Sequence, residues 1–234
     1  MLRGGGDAFQ TAAESRRRDL LVYVSLANLG RKVPFGHLSQ SLRRDLRSFF
    51  GNYTKALAMG LELLYAAGDS GEIELACEGL DLGWQNEQAL YAHRSLVPEL
   101  PPVLRAYIGC ATALFGDVSE ADVIKMHKGT GKVTFLVYDD FEGKPLPELR
   151  QRIKVNLRTR WVQVFDHSAE GQLLYFKERL LSRNHPAISE MTKFSEKLRN
   201  AGIESVGIDG GPRKAELVAK FKDQGMGFEI ALPN

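Results

Sequence analysis

The chain has 234 residues, 44% of them hydrophobic and 26% charged, a balance that is ordinary for a globular protein and ample for a sizeable core. A net charge of +2 gives no global argument for nucleic acid or membrane, and Arg, Glu or Gly interrupts every apolar stretch before the roughly 18 residues a membrane span needs. Cys77 and Cys110 lie far apart in helix-like runs, which argues against a cysteine-based zinc site and for a reduced, cytoplasmic chain without a signal peptide.

Residues 1 to about 13, with Gly4-Gly5-Gly6, read as a flexible lead-in. From Glu14 the pattern is helical, with Leu20, Leu21, Val24 and Leu26 on an apolar face and Gly30 as a stop. Ser39 is placed to cap a second helix that runs to Phe50 and ends at Gly51, and Asn52 to cap a third that ends at Gly68. EIELACEGL supplies a fourth. Leu100-Pro101-Pro102 then opens a helix that reaches Gly116, proline being at home in a first turn.

Beyond Gly116 the period changes. ADVIKMH and KVTFLVY alternate as strands around the turn Lys128-Gly129-Thr130-Gly131, and RIKVNL and RWVQVF form a second such pair around Arg158-Thr159. LLYFKERLL reads as a fifth strand, 187–201 and 212–223 as helices, and GFEIAL as a closing strand. Helices first and antiparallel strands later give an α+β class: a helical unit over 1–84, then a unit of antiparallel β-hairpins with C-terminal helices over 85–234.

Period two sets Lys125 and His127 on one face of the first hairpin, with Lys132 and Thr134 beside them. Two lysines beside a histidine favour an anion and lower the histidine pKa, though a solvated sheet face has the same pattern. Asp139-Asp140 at the strand end could join His93 or His127 in an acid/base or divalent-metal cluster, with Asp166 and Lys177-Glu178 downstream. His93-Arg94 suits a loop mouth, and Cys110, in mid-helix, suits a small buried hydrophobe. Arg16, Arg17 and Arg18, then Arg31-Lys32, then Arg43, Arg44 and Arg47 would make a phosphate-binding stripe if they share a side, but they also fit the outer face of amphipathic helices. The glycine-rich stretch before Pro212 lacks the ending of a P-loop.

Whole segments carry a further signal: RRDLLVYVSLANLGRKVPF, LRRDLRSFFGNYTKALAMGLELLYAAGD, ALYAHRSLVPELPPVLRAYIGCATALFGDV and ADVIKMHKGTGKVTFLVYDDF. In this order, from about Arg16 to Gly202, they resemble the C-terminal half of the methyltransferase-like proteins associated with DNA phosphorothioation. The family's glycine-rich cofactor domain would precede this chain, so the resemblance implies no methyl transfer and no cofactor here. Ile108 stands where the family pattern has Glu, and Tyr175-Phe176 where it has His-Arg.

The expected function is an accessory module of a DNA-modification or defence system. It would bind DNA or a partner protein through Arg17, Arg18, Arg43, Arg44, Arg47, Lys125 and Lys132. A metal-dependent phosphodiesterase using Asp140, Asp166, Lys177 and Glu178, assisted by His93 or His127, is the alternative, and a structural remnant without activity is the third.

Overall fold

The computed structural model describes residues 4–30, 33–203 and 211–223, which hold an α+β fold built on one six-stranded antiparallel sheet. The helices are α1 (Gly4–Ala27), α2 (Gln40–Phe50), α3 (Tyr53–Gly68), α4 (Ser70–Cys77), α5 (Pro102–Phe115), α6 (Ile188–Asn200) and α7 (Lys214–Asp223). The strands are β1 (Trp84–Gln85), β2 (Ala89–His93), β3 (Val123–His127), β4 (Lys132–Tyr138), β5 (Leu149–Asn156) and β6 (Trp161–Asp166). They pair in chain order, β1 to β6, every pair antiparallel.

Local chemistry sets the helix ends. Ser39 accepts a hydrogen bond from the Leu42 amide and Asn52 accepts one from Lys55, each satisfying a donor that a helix start leaves open. Gly51 takes φ 81° to stop α2, a conformation that glycine adopts at little cost.

The layers stack from the sheet outward. On its inner face Ile124, Met126, Phe135, Ile153 and Val155 pack on Leu104, Tyr107 and Ile108 of α5, with Ile73 and Cys77 of α4 in the same core. Helices α1 and α3 lie against α5, and α2 closes the far side through Leu46 and Phe50 on Leu20 and Val24. Gly60 lets α3 press close to α1, since a Cβ built there would sit 2.8 Å from the Ser25 nitrogen. At one end of the outer sheet face Val123, Leu136 and Leu149 are covered by Leu174, Leu180, Leu181 and Met191, the last from α6.

Several expectations change. Helix α1 starts at Gly4, not Glu14: Ala8, Gln10, Ala12 and Ala13 are good helix formers, and extending a nucleated helix costs little. The stretch from Leu173 to Leu181 is not a strand. It makes one bridge, Leu173 with Glu148, and then turns at Phe176 (φ 52°) into a 3-10 turn over Lys177–Leu180. The inward Lys177 side chain drives that turn, because its ammonium has carbonyl partners inside and none in a ladder. His93 ends the buried strand β2 and does not line a loop mouth. The expected strand GFEIAL, Arg31-Lys32 and Gly207 to Gly210 lie outside the described residues. Among the described residues no helix is long and apolar enough to cross a membrane.

Candidate nucleic-acid interface

Beyond the cover of Leu174, Leu180, Leu181 and Met191, one row of the register crosses the outer sheet face, with Tyr91 and Thr134 in it buried. Trp84, Tyr91, Lys125, Thr134, Lys154 and Gln163 stand opposite one another across the six strands. Next to it Lys132, Asn156 and Trp161 align, and on the other side Leu136, Arg152 and Phe165. The expected grouping of Lys125, His127, Lys132 and Thr134 is therefore present, and β5 and β6 extend it. His127 Nε2 is 3.2 Å from Thr134 Oγ1. Lys125 Nζ lies 4.7 Å from the centre of the Tyr91 ring and Lys154 Nζ 4.6 Å from that of Phe165, so two ammonium groups rest on aromatic faces.

Burial first, and then the charges of Lys125, Lys132 and Lys154, push the His127 pKa down to about 4. The ring is neutral at neutral pH. The direction is the one the sequence implies, but burial outweighs the lysines as its cause.

Charge is distributed unevenly. The β3–β4 hairpin (123–138) and the β5–β6 hairpin (149–166) hold eight Lys and Arg and a single acidic residue, Asp166. The net charge of +2 is therefore the balance of +7 on these two hairpins and −5 elsewhere. Such a local field attracts polyanions that the global charge would not. Not all eight face outward: Arg150 pairs with Asp139 at 2.6 Å, and Arg158 reaches the Gly129 carbonyl. Arg152 and Lys154 were missed from sequence, although the acid-free run RIKVNLRTRWVQVF is visible there. Only the register shows that they share a surface with Lys125 and Lys132.

The helical arginines are elsewhere. Arg43, Arg44 and Arg47 line an open concavity on α2 with Gln40 and Ser41. Arg17 lies over Phe50, Arg47 over Phe35, Arg16 pairs with Asp45, and Arg18 faces Glu14 at 3.8 Å. Helices α1, α3 and α5 separate α2 from the sheet, so the two basic regions belong to different layers. They do not form one stripe.

The expected acid/base cluster divides too. His93 comes to the Asp139–Lys144 loop: its ring stacks on Phe141 (centroids 4.5 Å, 18°), and its Nδ1 accepts from the Ser95 amide. The same Nδ1 lies 2.8 Å from Ser95 Oγ, and Nε2 is buried without a hydrogen-bond partner, 3.7 Å from Glu142 Oε1. Burial, with Arg94, His185 and Lys177 nearby, lowers the His93 pKa to about 4.

Lys177 is buried beside it, 3% exposed, and donates to the Phe141 and Lys144 carbonyls at 2.5 and 2.6 Å. Burial lowers its pKa to about 8 against the opposing pull of Glu142 and Asp140. An adjoining cleft of about 70 Å³ is lined by Glu142, Lys144, Phe176, Lys177, Glu190 and Ser195 among others. Glu178 is engaged by Ser195 and Arg199, and Asp140 (φ 60°) accepts from Gly143. The cluster fastens the loop to the 3-10 turn, with the Lys177 ammonium and the Asp140 and Glu178 carboxylates already engaged.

Asp166 belongs to neither group. It stands opposite Gln151, which alternation places on the inner face, and accepts from the Ser168 amide. His127 is about 13 Å along β3 from the strand end that meets His93. Among the described residues no three His, Cys, Asp or Glu side chains come together to hold a metal ion. Cys77 and Cys110 are free, and burial raises the Cys110 thiol pKa to about 11, away from a nucleophile's range. Comparison with protein-family models, with curated proteins and with solved structures finds no match to this chain.

Proposed function

We propose that this chain is a DNA-binding accessory module of a DNA-modification system of the phosphorothioation type, and that it holds DNA on its outer sheet face. The observation that supports this is the concentration of +7 on two adjacent hairpins, with one acidic residue in the pair, in a chain of net +2. Lysine and arginine on a sheet face neutralise phosphates and release counterions, a term that supplies affinity without sequence readout. The resemblance from Arg16 to Gly202 supplies the setting. A binding role is favoured over phosphodiester cleavage because Asp140, Asp166 and Glu178 each have their own local partner and do not converge.

The test is fluorescence anisotropy with a tailed duplex, which offers both double- and single-stranded DNA, across a salt series. Affinity is expected to fall steeply with salt. Changing Lys132 and Lys154 together to Ala is expected to weaken it about tenfold and reduce the salt slope by about two. No binding at low salt, or binding indifferent to both changes, would overturn the proposal.

A further inference from the structure

The basic outer face also carries aromatic rings, and one of them faces solvent. Trp161 on the edge strand β6 is 51% exposed, and the register sets it opposite Asn156, which is itself opposite Lys132. Four residues further along the strand, about 14 Å away, Phe165 lies on the same face with Lys154 over its ring, and Gln163 stands between the two. Ring, amide and ring therefore alternate along one strand, and lysine or arginine stands on the strands behind them.

This pattern discriminates between forms of DNA. In a duplex each base face is covered by its neighbours, so an indole on a broad sheet meets only phosphates and groove edges. A single strand can lay a base on the ring while its phosphates track the cations, and the Asn156 and Gln163 amides can meet base edges. An exposed indole contributes nothing to backbone neutralisation and much to stacking. We infer that the outer face takes single-stranded DNA, with a base stacked on Trp161 and the backbone held by Lys132, Lys154 and Arg152. This inference rests on the DNA-binding reading above.

The experiment compares an oligothymidine of about 16 nucleotides with a blunt duplex of the same length. The chain has two tryptophans, Trp84 and Trp161, so Trp84→Phe leaves Trp161 as the only indole reporter. Oligothymidine is expected to quench that fluorescence and to bind at least about tenfold more tightly than the duplex. Trp161→Ala is expected to weaken oligothymidine binding about tenfold and leave duplex binding within about twofold, and Trp161→Phe to recover most of the loss. A thermal melt of each variant checks the fold. Equal affinity for the two probes, or a Trp161→Ala protein that binds oligothymidine as before, would overturn the single-strand inference and leave DNA binding standing. Binding to neither probe would remove both.

Discussion

Lys177 holds Phe141 in two ways: its ammonium donates to the Phe141 carbonyl at 2.5 Å and lies 5.1 Å from the centre of the same residue's ring. The Lys144 carbonyl takes a second donation at 2.6 Å. One buried cation thus closes the Asp139–Lys144 loop against the 3-10 turn. Lys177→Met keeps the length of the side chain and leaves both carbonyls unpaired, which is expected to cost about 1–3 kcal/mol in a urea titration. DNA affinity is expected to stay within about twofold, since this cluster is not among the phosphate contacts proposed for the outer face.

Acid is expected to destabilise the protein before most of its carboxylates protonate. His93 and His127 have folded-state pKa values of about 4, below the ordinary 6.5. The unfolded chain therefore takes up these protons first, and stability is full above about pH 6.5 and is lost as pH falls towards 4. Each histidine contributes at most about 3 kcal/mol, less for the only partly buried His127. Urea midpoints measured from pH 7 to pH 4.5 check the slope, which His127→Gln is expected to flatten. Lys177 has the same sign in a higher window: its folded pKa of about 8 is below the ordinary 10.5, so its unfavourable burial eases as pH rises between them.

Tyr107 connects the helical layer to the basic face. Its hydroxyl lies 3.1 Å from the His127 carbonyl and 3.0 Å from that of Lys132, the two ends of the β3–β4 turn. Tyr107→Phe is expected to cost about 1 kcal/mol, and hydrogen exchange should quicken at residues 128–131 more than elsewhere in the sheet.

The separation of the two basic regions is testable in one assay. Changing Arg43, Arg44 and Arg47 together to Ala is expected to leave DNA affinity within about twofold, because α1, α3 and α5 separate α2 from the sheet. A loss of tenfold or more would move the DNA to α2.

Packing between α1 and α3 leaves no room at Gly60. Gly60→Ala drives a methyl against the Ser25 backbone and is expected to cost about 1–3 kcal/mol, read as a lowered thermal midpoint.

Local chemistry was legible in the sequence where a residue acts on its own neighbours. Ser39 and Asn52 cap the helices they precede, Pro101-Pro102 opens α5, and the alternation of VIKMH and KVTFLVY gives β3 and β4. Strand β2 was not legible, because all of ALYAH is buried and shows no alternation. Tyr175-Phe176-Lys177 looked like strand, because nothing nearby in sequence shows the carbonyls of residues 141 and 144 waiting for an ammonium. The candidate surface was half legible: Lys125 and Lys132 follow from one hairpin, while Lys154 and Trp161 require the pairing of β4 with β5 and of β5 with β6.

The chain-order meander has a kinetic consequence. Strands β3 to β6 occupy residues 123–166 without interruption, so each joins its neighbour by closing a short loop, and hairpins of this kind form within about 1–10 μs. Strand β2 must instead bring His93 to Val123 across the whole of α5, a closure with a larger entropy cost. The basic block is thus expected to show high φ-values, and the β1–β2 edge low ones. The surface proposed to meet DNA would then be the folding nucleus as well, so its charges repel one another in the transition state before any ligand is present.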